Sequence, residues 1–189
     1  MKLTVRPLTP ARWPDVEAVF NARGCSLARR CWCMFYRRSG DSGFDTLSRP
    51  DRNRAALRAR AKDDPPPGLI GYHGATPVGW ISLGPREDFR RLAKSPLMKP
   101  VDQERVWSIV CYVVPSEYRR QGVARSLLDG AIRYARRRKV KLLEAYPVDK
   151  RGALADDSLW FGPMSLFQSA GFTEVARRKP TRPVVRLAL

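Results

Sequence analysis

VWSIVCYVVPSEYRRQGVARSLLDGAIRYA, residues 106–135, is the stretch from which the fold of this chain is read. From Val106 to Val114 the residues are mostly β-branched or aromatic and carry no charge, which suits a strand covered on both faces. Pro115 ends the run. Beyond a short basic loop, Val123, Ala124, Leu127, Leu128, Ala131, Ile132 and Ala135 recur at helical spacing, with Arg125, Asp129, Arg133 and Arg136 mainly on the other side. The spacing predicts a helix that begins near Gln121 or Gly122. Its first amides have no partner within the helix, and the macrodipole adds about half a positive charge there. Arg119 and Arg120 stand just before it, and Gly122, lacking a Cβ, lets the backbone approach a ligand closely. A junction of this kind binds anions, and a pyrophosphate fits it.

Neither G-x-x-x-x-G-K-[ST] nor G-x-G-x-x-G occurs in the segment, which argues against a P-loop NTPase or a Rossmann enzyme. The length of 189 residues and 43% hydrophobic content suit one globular domain spanning 1–189. No run reaches the ~18 to 20 apolar residues of a membrane span. The start, MKLTVRPLTPARW, has no apolar signal core, so a cytoplasmic location is expected, with Cys25, Cys31, Cys33 and Cys111 mostly reduced. A single histidine, His73, leaves few builders for a Ser-His-Asp triad.

The formal charge of +18 comes from 36 Lys and Arg against 18 Asp and Glu. It implies attraction to polyanions, whether nucleic acid, an acidic substrate or the phosphates of a cofactor, and does not choose among them.

Outward from the opening stretch, a first strand is expected over Lys2 to Arg6, followed by a helix over Ala11 to Asn21, with Thr9 as N-cap and Pro10 at its first position. Further helices are expected over Leu27 to Arg38 and Arg49 to Asp63, with a polar loop around Gly40 and Gly43 between them. Asp63-Asp64-Pro65-Pro66-Pro67-Gly68 stops the second. Leu69 to His73 and Val78 to Leu83 read as a hairpin with His73 at its tip. Pro85 to Pro100 reads as loop with a short helix near Phe89 to Lys94. Val140 to Tyr146 reads as a strand, Asp149 to Ser158 as loop, and Met164 to Ala170 as a short helix ended by Gly171. Phe172 to Ala176 and Val184 to Leu189 are the last strands, separated by a basic turn.

Directly after the central strand stands R-x-x-G-x-A, in Arg119, Gly122 and Ala124. This resembles the acyl-CoA motif R/Q-x-x-G-x-G/A of the GNAT superfamily of N-acetyltransferases. The order of elements is similar to the GNAT fold over almost the whole chain, and Ser165 to Phe172 resembles the family's L-Y-x-x-x-G-F segment. The resemblance implies an α/β (α+β) fold: a mixed central sheet of about seven strands flanked by helices and splayed at the two central parallel strands. It implies acetyl-CoA as acyl donor, a primary amine of a small molecule, peptide or protein as acceptor, and direct attack. The pantetheine arm would lie in the splay, along Tyr112, Val113 and Val114 and against the region of Ala145 to Pro147. A backbone N–H near Val113 would polarise the thioester carbonyl. The pyrophosphate would rest on the amides of Arg120, Gln121, Gly122, Val123 and Ala124, with Arg119, Arg125 and Ser126 alongside.

Catalysis needs a base for an ammonium of pKa about 10 and a proton for a leaving thiolate of pKa about 8.5. Here the sequence departs from the family: a glutamate used by some members falls at Ser108. The tyrosine that protonates the thiolate in many members is Phe167, kept as a cofactor-contacting position, and the asparagine seven residues before it is Trp160. Glu144, in the apolar setting LLEAYP, is the best candidate base, with Glu104 a weaker one. Tyr146 and Tyr112 are candidate thiolate donors. Trp32, Tyr36 and Trp107 are candidate acceptor-binding aromatics, with core packing as the ordinary alternative. The spacing Cys25-x5-Cys31-x-Cys33 fits no usual two-plus-two zinc arrangement, and no metal is expected. The rival function is a basic, nucleic-acid-associated binding protein with little or no turnover. A monomer or homodimer is expected, with no membrane contact.

Overall fold

The structure, a computed structural model, describes residues 3–38, 42–149 and 160–189. The loop expected over Asp149 to Ser158 lies, apart from Asp149, outside the described residues.

Seven strands form one sheet in the order β1-β2-β3-β4-β5-β7-β6. They are β1 Thr4–Pro7, β2 Gly68–His73, β3 Thr76–Pro85, β4 Trp107–Val113, β5 Leu142–Ala145, β6 Thr173–Lys179 and β7 Arg182–Ala188. All neighbours are antiparallel except β4 and β5, which run parallel through Trp107↔Leu143, Ser108↔Glu144 and Ile109↔Ala145. The helices are α1 Trp13–Asn21, α2 Ser26–Cys31, α3 Gly43–Leu47, α4 Pro50–Ala59, α5 Arg90–Ala93, α6 Val123–Arg137 and α7 Met164–Gln168. This is the mixed, helix-flanked sheet the resemblance implied.

Two apolar layers cover the sheet. On one face α6 buries Val123, Leu127, Leu128, Ala131 and Ala135 against β1 to β3. Fully burying side chains of the Leu127 and Leu128 kind stabilises a fold by about 1.5–3 kcal/mol each. The approach is close: a Cβ on Gly130 of α6 would stand 2.5 Å from the Cβ of Val5, so only glycine lets the helix lie on β1 there. On the other face α1, α2 and α4 pack around Phe20, whose ring stacks on Trp32 at 4.9 Å and meets Trp80 of β3 edge-on at 6.0 Å.

The structure departs from the sequence reading at two helices. The helix expected to run to Arg38 ends at Cys31, because Trp32 and Cys33 both take left-handed backbone conformations, at φ 46° and 51°. The stretch read as polar loop around Gly43 contains α3, whose start is a capping box. Ser42 accepts from the Asp45 amide at 3.0 Å, and the Asp45 carboxylate accepts from the Ser42 amide at 3.2 Å. Thr9 makes no side-chain cap. Pro10 opens a turn of 3-10 helix, Pro10–Arg12, that leads into α1.

Candidate active site

The loop between β4 and α6 is held from both sides. Arg119 donates through Nε to the Val114 carbonyl at 3.1 Å and through Nη2 to the Gly24 carbonyl at 2.6 Å, tying the loop to the segment before α2. Gly24 is needed there, since a Cβ would stand 2.8 Å from that of Ser116. Gln121 donates to the Glu117 carbonyl at 2.6 Å. Arg120 and Gly122 adopt positive φ, 59° and 78°, which turns successive amides toward one side. Gly122 is the N-cap of α6, and the helix's first bond runs from the Ser126 amide to the Gly122 carbonyl at 3.0 Å. The amides of Val123 to Arg125 precede that bond, so they stand at the positive end of the dipole. Arg125 donates to Asp129 at 3.0 Å and to Ser169 at 2.7 Å.

A cavity of about 630 Å³ leads from this loop along Val114 and Val110 to Val113 of the central strand to Phe35, Tyr36 and Trp160. That volume lies within the range of ligand pockets, about 300–1,000 Å³. The cavity exists because β5 stops pairing with β4 at Ala145, opposite Ile109, while β4 runs on to Val113.

Residues 28–153 match the model of the acetyltransferase (GNAT) family. The chain belongs to the GNAT acetyltransferase family. No curated protein matches it. Among solved structures it is similar to the ribosomal-protein-alanine N-acetyltransferase of Brucella melitensis (22% identity, TM-score 0.53), with 99% of this chain and 100% of that chain covered. It is also similar to the PaiA N-acetyltransferase of Thermoplasma acidophilum in complex with coenzyme A (13%, TM-score 0.54) and to the polyamine N-acetyltransferase of Drosophila melanogaster (11%, TM-score 0.56). Both of these cover 100% of each chain. At these identities the likeness establishes the GNAT fold and no more.

Within this GNAT fold the splay between β4 and β5 is bridged by the chain's own backbone. The Tyr112 amide donates to the Trp160 carbonyl at 2.7 Å, and on the other side Val148, just past β5, donates to Gly162 at 3.0 Å. The amide that faces the splay is thus that of Tyr112. Backbone groups alternate along a strand, so Val113, the register partner of Trp80, turns its amide toward β3.

The candidate catalytic residues fall into two places. Tyr112 lines the cavity, 7% exposed, with its ring edge-on to Phe167 at 6.3 Å. Its hydroxyl is buried without a hydrogen-bond partner. Burial, and then the charge of Asp129, pushes the phenol well above its ordinary pKa. Phe167 is fully buried under Tyr112, and it is Leu166 that reaches the cavity wall.

Glu144 and Tyr146 lie behind the cavity wall. Glu144 has no exposed surface, accepts from Arg86 and from Nε of Arg186 at 2.8 Å, and takes the Tyr146 hydroxyl at 2.7 Å. Ser108 bonds the same hydroxyl at 2.9 Å, and Arg186 goes on to Asp102 at 2.5 and 2.9 Å. Burial, then the Glu144 charge, raises the Tyr146 pKa. Sequence reading missed Arg86 and Arg186. A usable signal was present: Arg186 in the apolar run VVRLAL and Glu144 in LLEAYP are opposite charges in strands that turn out to be register partners. Glu104 is exposed on the loop before β4.

Of the aromatics considered for the acceptor, Tyr36 lines the cavity. Trp32 is 2% exposed and stacked into the α1 side of the core, and Trp107 lies on the opposite face against Tyr134 at 6.3 Å. Cys25, Cys31, Cys33 and Cys111 all border the cavity as free thiols. Burial pushes the Cys31 thiol up to about 12, and the interaction with neighbouring Cys33, together with burial, raises that of Cys111. Both therefore stay protonated at neutral pH. Among the described residues no group of three His, Cys, Asp or Glu is arranged to hold a metal, and no helix is long and apolar enough to cross a membrane.

Proposed function

We propose that this chain is an acetyl-CoA-dependent N-acetyltransferase, a single domain that moves an acetyl group to a primary amine in the cytoplasm. The observation that carries the reading is one continuous cavity, which joins the amide-lined start of α6 to the opened edge of β4. The residues fit the cofactor: left-handed backbone at Arg120 and Gly122 aims amides where a pyrophosphate would lie, and Tyr112 to Val114 offer a strand edge to the pantetheine. Bound acetyl-CoA supplies the activated acyl group.

The chain's own part is binding, orientation and one proton. Tyr112, which lines the cavity and whose buried hydroxyl is neutral at physiological pH and has no hydrogen-bond partner, is assigned as the donor for the departing thiolate in place of a tyrosine at Phe167. Glu144 and Tyr146 act as positioning residues. With Arg86 and Arg186 they fix β4, β5 and β7 at the root of the splay, and no atom of theirs borders the cavity. Deprotonation of the acceptor then falls to solvent.

The net charge of +18 supports the rival, a nucleic-acid-binding protein with little turnover. One experiment separates them: thermal stability with and without acetyl-CoA, then free-thiol release over a panel of amines. Stabilisation with thiol release is expected. No stabilisation at millimolar acetyl-CoA, with tight salt-sensitive RNA binding, would replace the proposal by its rival.

A further inference from the structure

Among the described residues, the end of the cavity away from α6 carries no negative charge. Phe35, Tyr36 and Trp160 line it as an aromatic wall, together with Val110, Cys111 and Cys31. Among the described residues lining the whole cavity there is no Asp or Glu, and its three cations, Arg119, Arg120 and Arg125, all stand at the α6 end. Tyr36 and Trp160 both line the cavity, and burial pushes the Tyr36 hydroxyl up to about 12, so it stays neutral. Behind this wall the Glu144 carboxylate is taken up by Arg86 and Arg186, and two further arginines stand close by. Arg91 covers the Phe35 ring at 4.3 Å, and Arg182 lies 5.3 Å from the Phe161 ring and within electrostatic reach of Tyr36.

On the acetyl-transfer reading above, we infer that the acceptor is an amine on an aromatic or other apolar body with no second positive charge, seated against Tyr36 and Trp160. An ammonium drawn into an apolar site without a carboxylate loses hydration and gains no partner, so its neutral form is favoured. The cavity thereby selects the nucleophilic form of the amine, which accounts for the absence of a base on its described walls. The neutral nitrogen attacks the thioester carbonyl. The C–N bond forms, the C–S bond breaks, and the proton shed by nitrogen is balanced by the one the thiol gains. A polyamine or a lysine-rich peptide would have to strip water from each further charge, with Arg91 and Arg182 behind the wall and a chain of net charge +18 around it. An aromatic body gains ring contacts instead.

The test compares phenethylamine, spermidine and agmatine by thiol release, after the stabilisation given by acetyl-CoA alone has been measured. Phenethylamine is expected to exceed both polycations in kcat/KM by at least about tenfold. Leu47→Asp, which sets a carboxylate on the cavity margin, is expected to raise the spermidine-to-phenethylamine ratio by about tenfold. If Leu47→Asp unfolds the chain, the wild-type ranking decides alone. Stabilisation by acetyl-CoA with spermidine or agmatine preferred would overturn the acceptor class and leave the acetyltransferase reading standing. Neither stabilisation nor thiol release would overturn that reading and this inference with it.

Discussion

Ser108 and Glu144 face each other across the parallel strand pair, and the hydroxyl of Tyr146 bonds them both. The Tyr146 proton goes to Glu144, which as an ion only accepts, so Ser108 donates to the tyrosine oxygen. Two guanidiniums complete the cluster, and every element of the splay root contributes: Ser108 from β4, Glu144 from β5, Arg186 from β7 and Arg86 from the turn after β3.

Glu144→Gln therefore tests structure against chemistry. Removing one partner of a buried ion pair costs about 3–5 kcal/mol. In a chain of this size each kcal/mol lowers Tm by roughly 2–4 °C. A drop on the order of 10 °C in thermal denaturation is expected, with acetyl-CoA affinity unchanged. A variant with wild-type Tm whose rate is lost at low pH and regained at high pH would instead make Glu144 the base.

Tyr112→Phe should separate activity from stability in the opposite sense. The hydroxyl has no partner, and removing a buried unsatisfied polar group is neutral or stabilising. The rate should fall by about 100-fold, as for loss of a general acid, with acetyl-CoA binding intact. The pH profile follows from the raised phenol pKa. The active form is the protonated one, so the alkaline limb due to Tyr112 starts above the usual tyrosine pKa of about 10 rather than near neutrality. The acid limb reports the acceptor ammonium. An unchanged kcat in the variant would remove Tyr112 from the reaction.

The strand, loop and helix of residues 106–135 were legible because each rests on local chemistry: an uncharged β-branched run, a proline stop, a glycine and a 3.6-residue period. The structure narrows the strand to Trp107–Val113 and starts the helix at Val123, one residue after the glycine. The end of α2 was not legible, since nothing in Cys31-Trp32-Cys33 announces a left-handed turn. Packing forces it, with Trp32 stacked on Phe20 and Trp13. Nor was the site behind Glu144 legible in full. The charges were visible in apolar strands, but which arginine meets which carboxylate depends on the register of β5 with β7. The candidate acceptor wall depends on Trp160, more than 120 positions from Tyr36 in sequence.

Trp160 reports on cofactor entry. Its carbonyl now holds the Tyr112 amide, on the strand edge that a pantetheine would use, and its ring lines the cavity. Titration with acetyl-CoA is expected to change tryptophan emission, and Trp160→Phe should abolish most of that change while the other four tryptophans remain. An identical signal in the variant would show that the bridge stays in place.

Gly122 carries the last prediction. Its φ of 78° and ψ of 9° lie in the left-handed region, where a residue with a Cβ is disfavoured by roughly 1–2 kcal/mol. Gly122→Val adds that backbone cost and also fills the side from which an anion would approach the first amides of α6. Gly171 provides the control. Its φ is 88°, a Cβ there would meet Leu187 at an ordinary 3.6 Å, and it does not line the cavity. Gly171→Val should therefore lose comparable stability and keep its affinity for acetyl-CoA. Gly122→Val should lose both, with Kd by calorimetry at least about tenfold weaker, equivalent to ~1.4 kcal/mol. Equal affinities in the two variants would mean that the loss at Gly122 is backbone strain alone, and the pyrophosphate would have to be sought away from this helix.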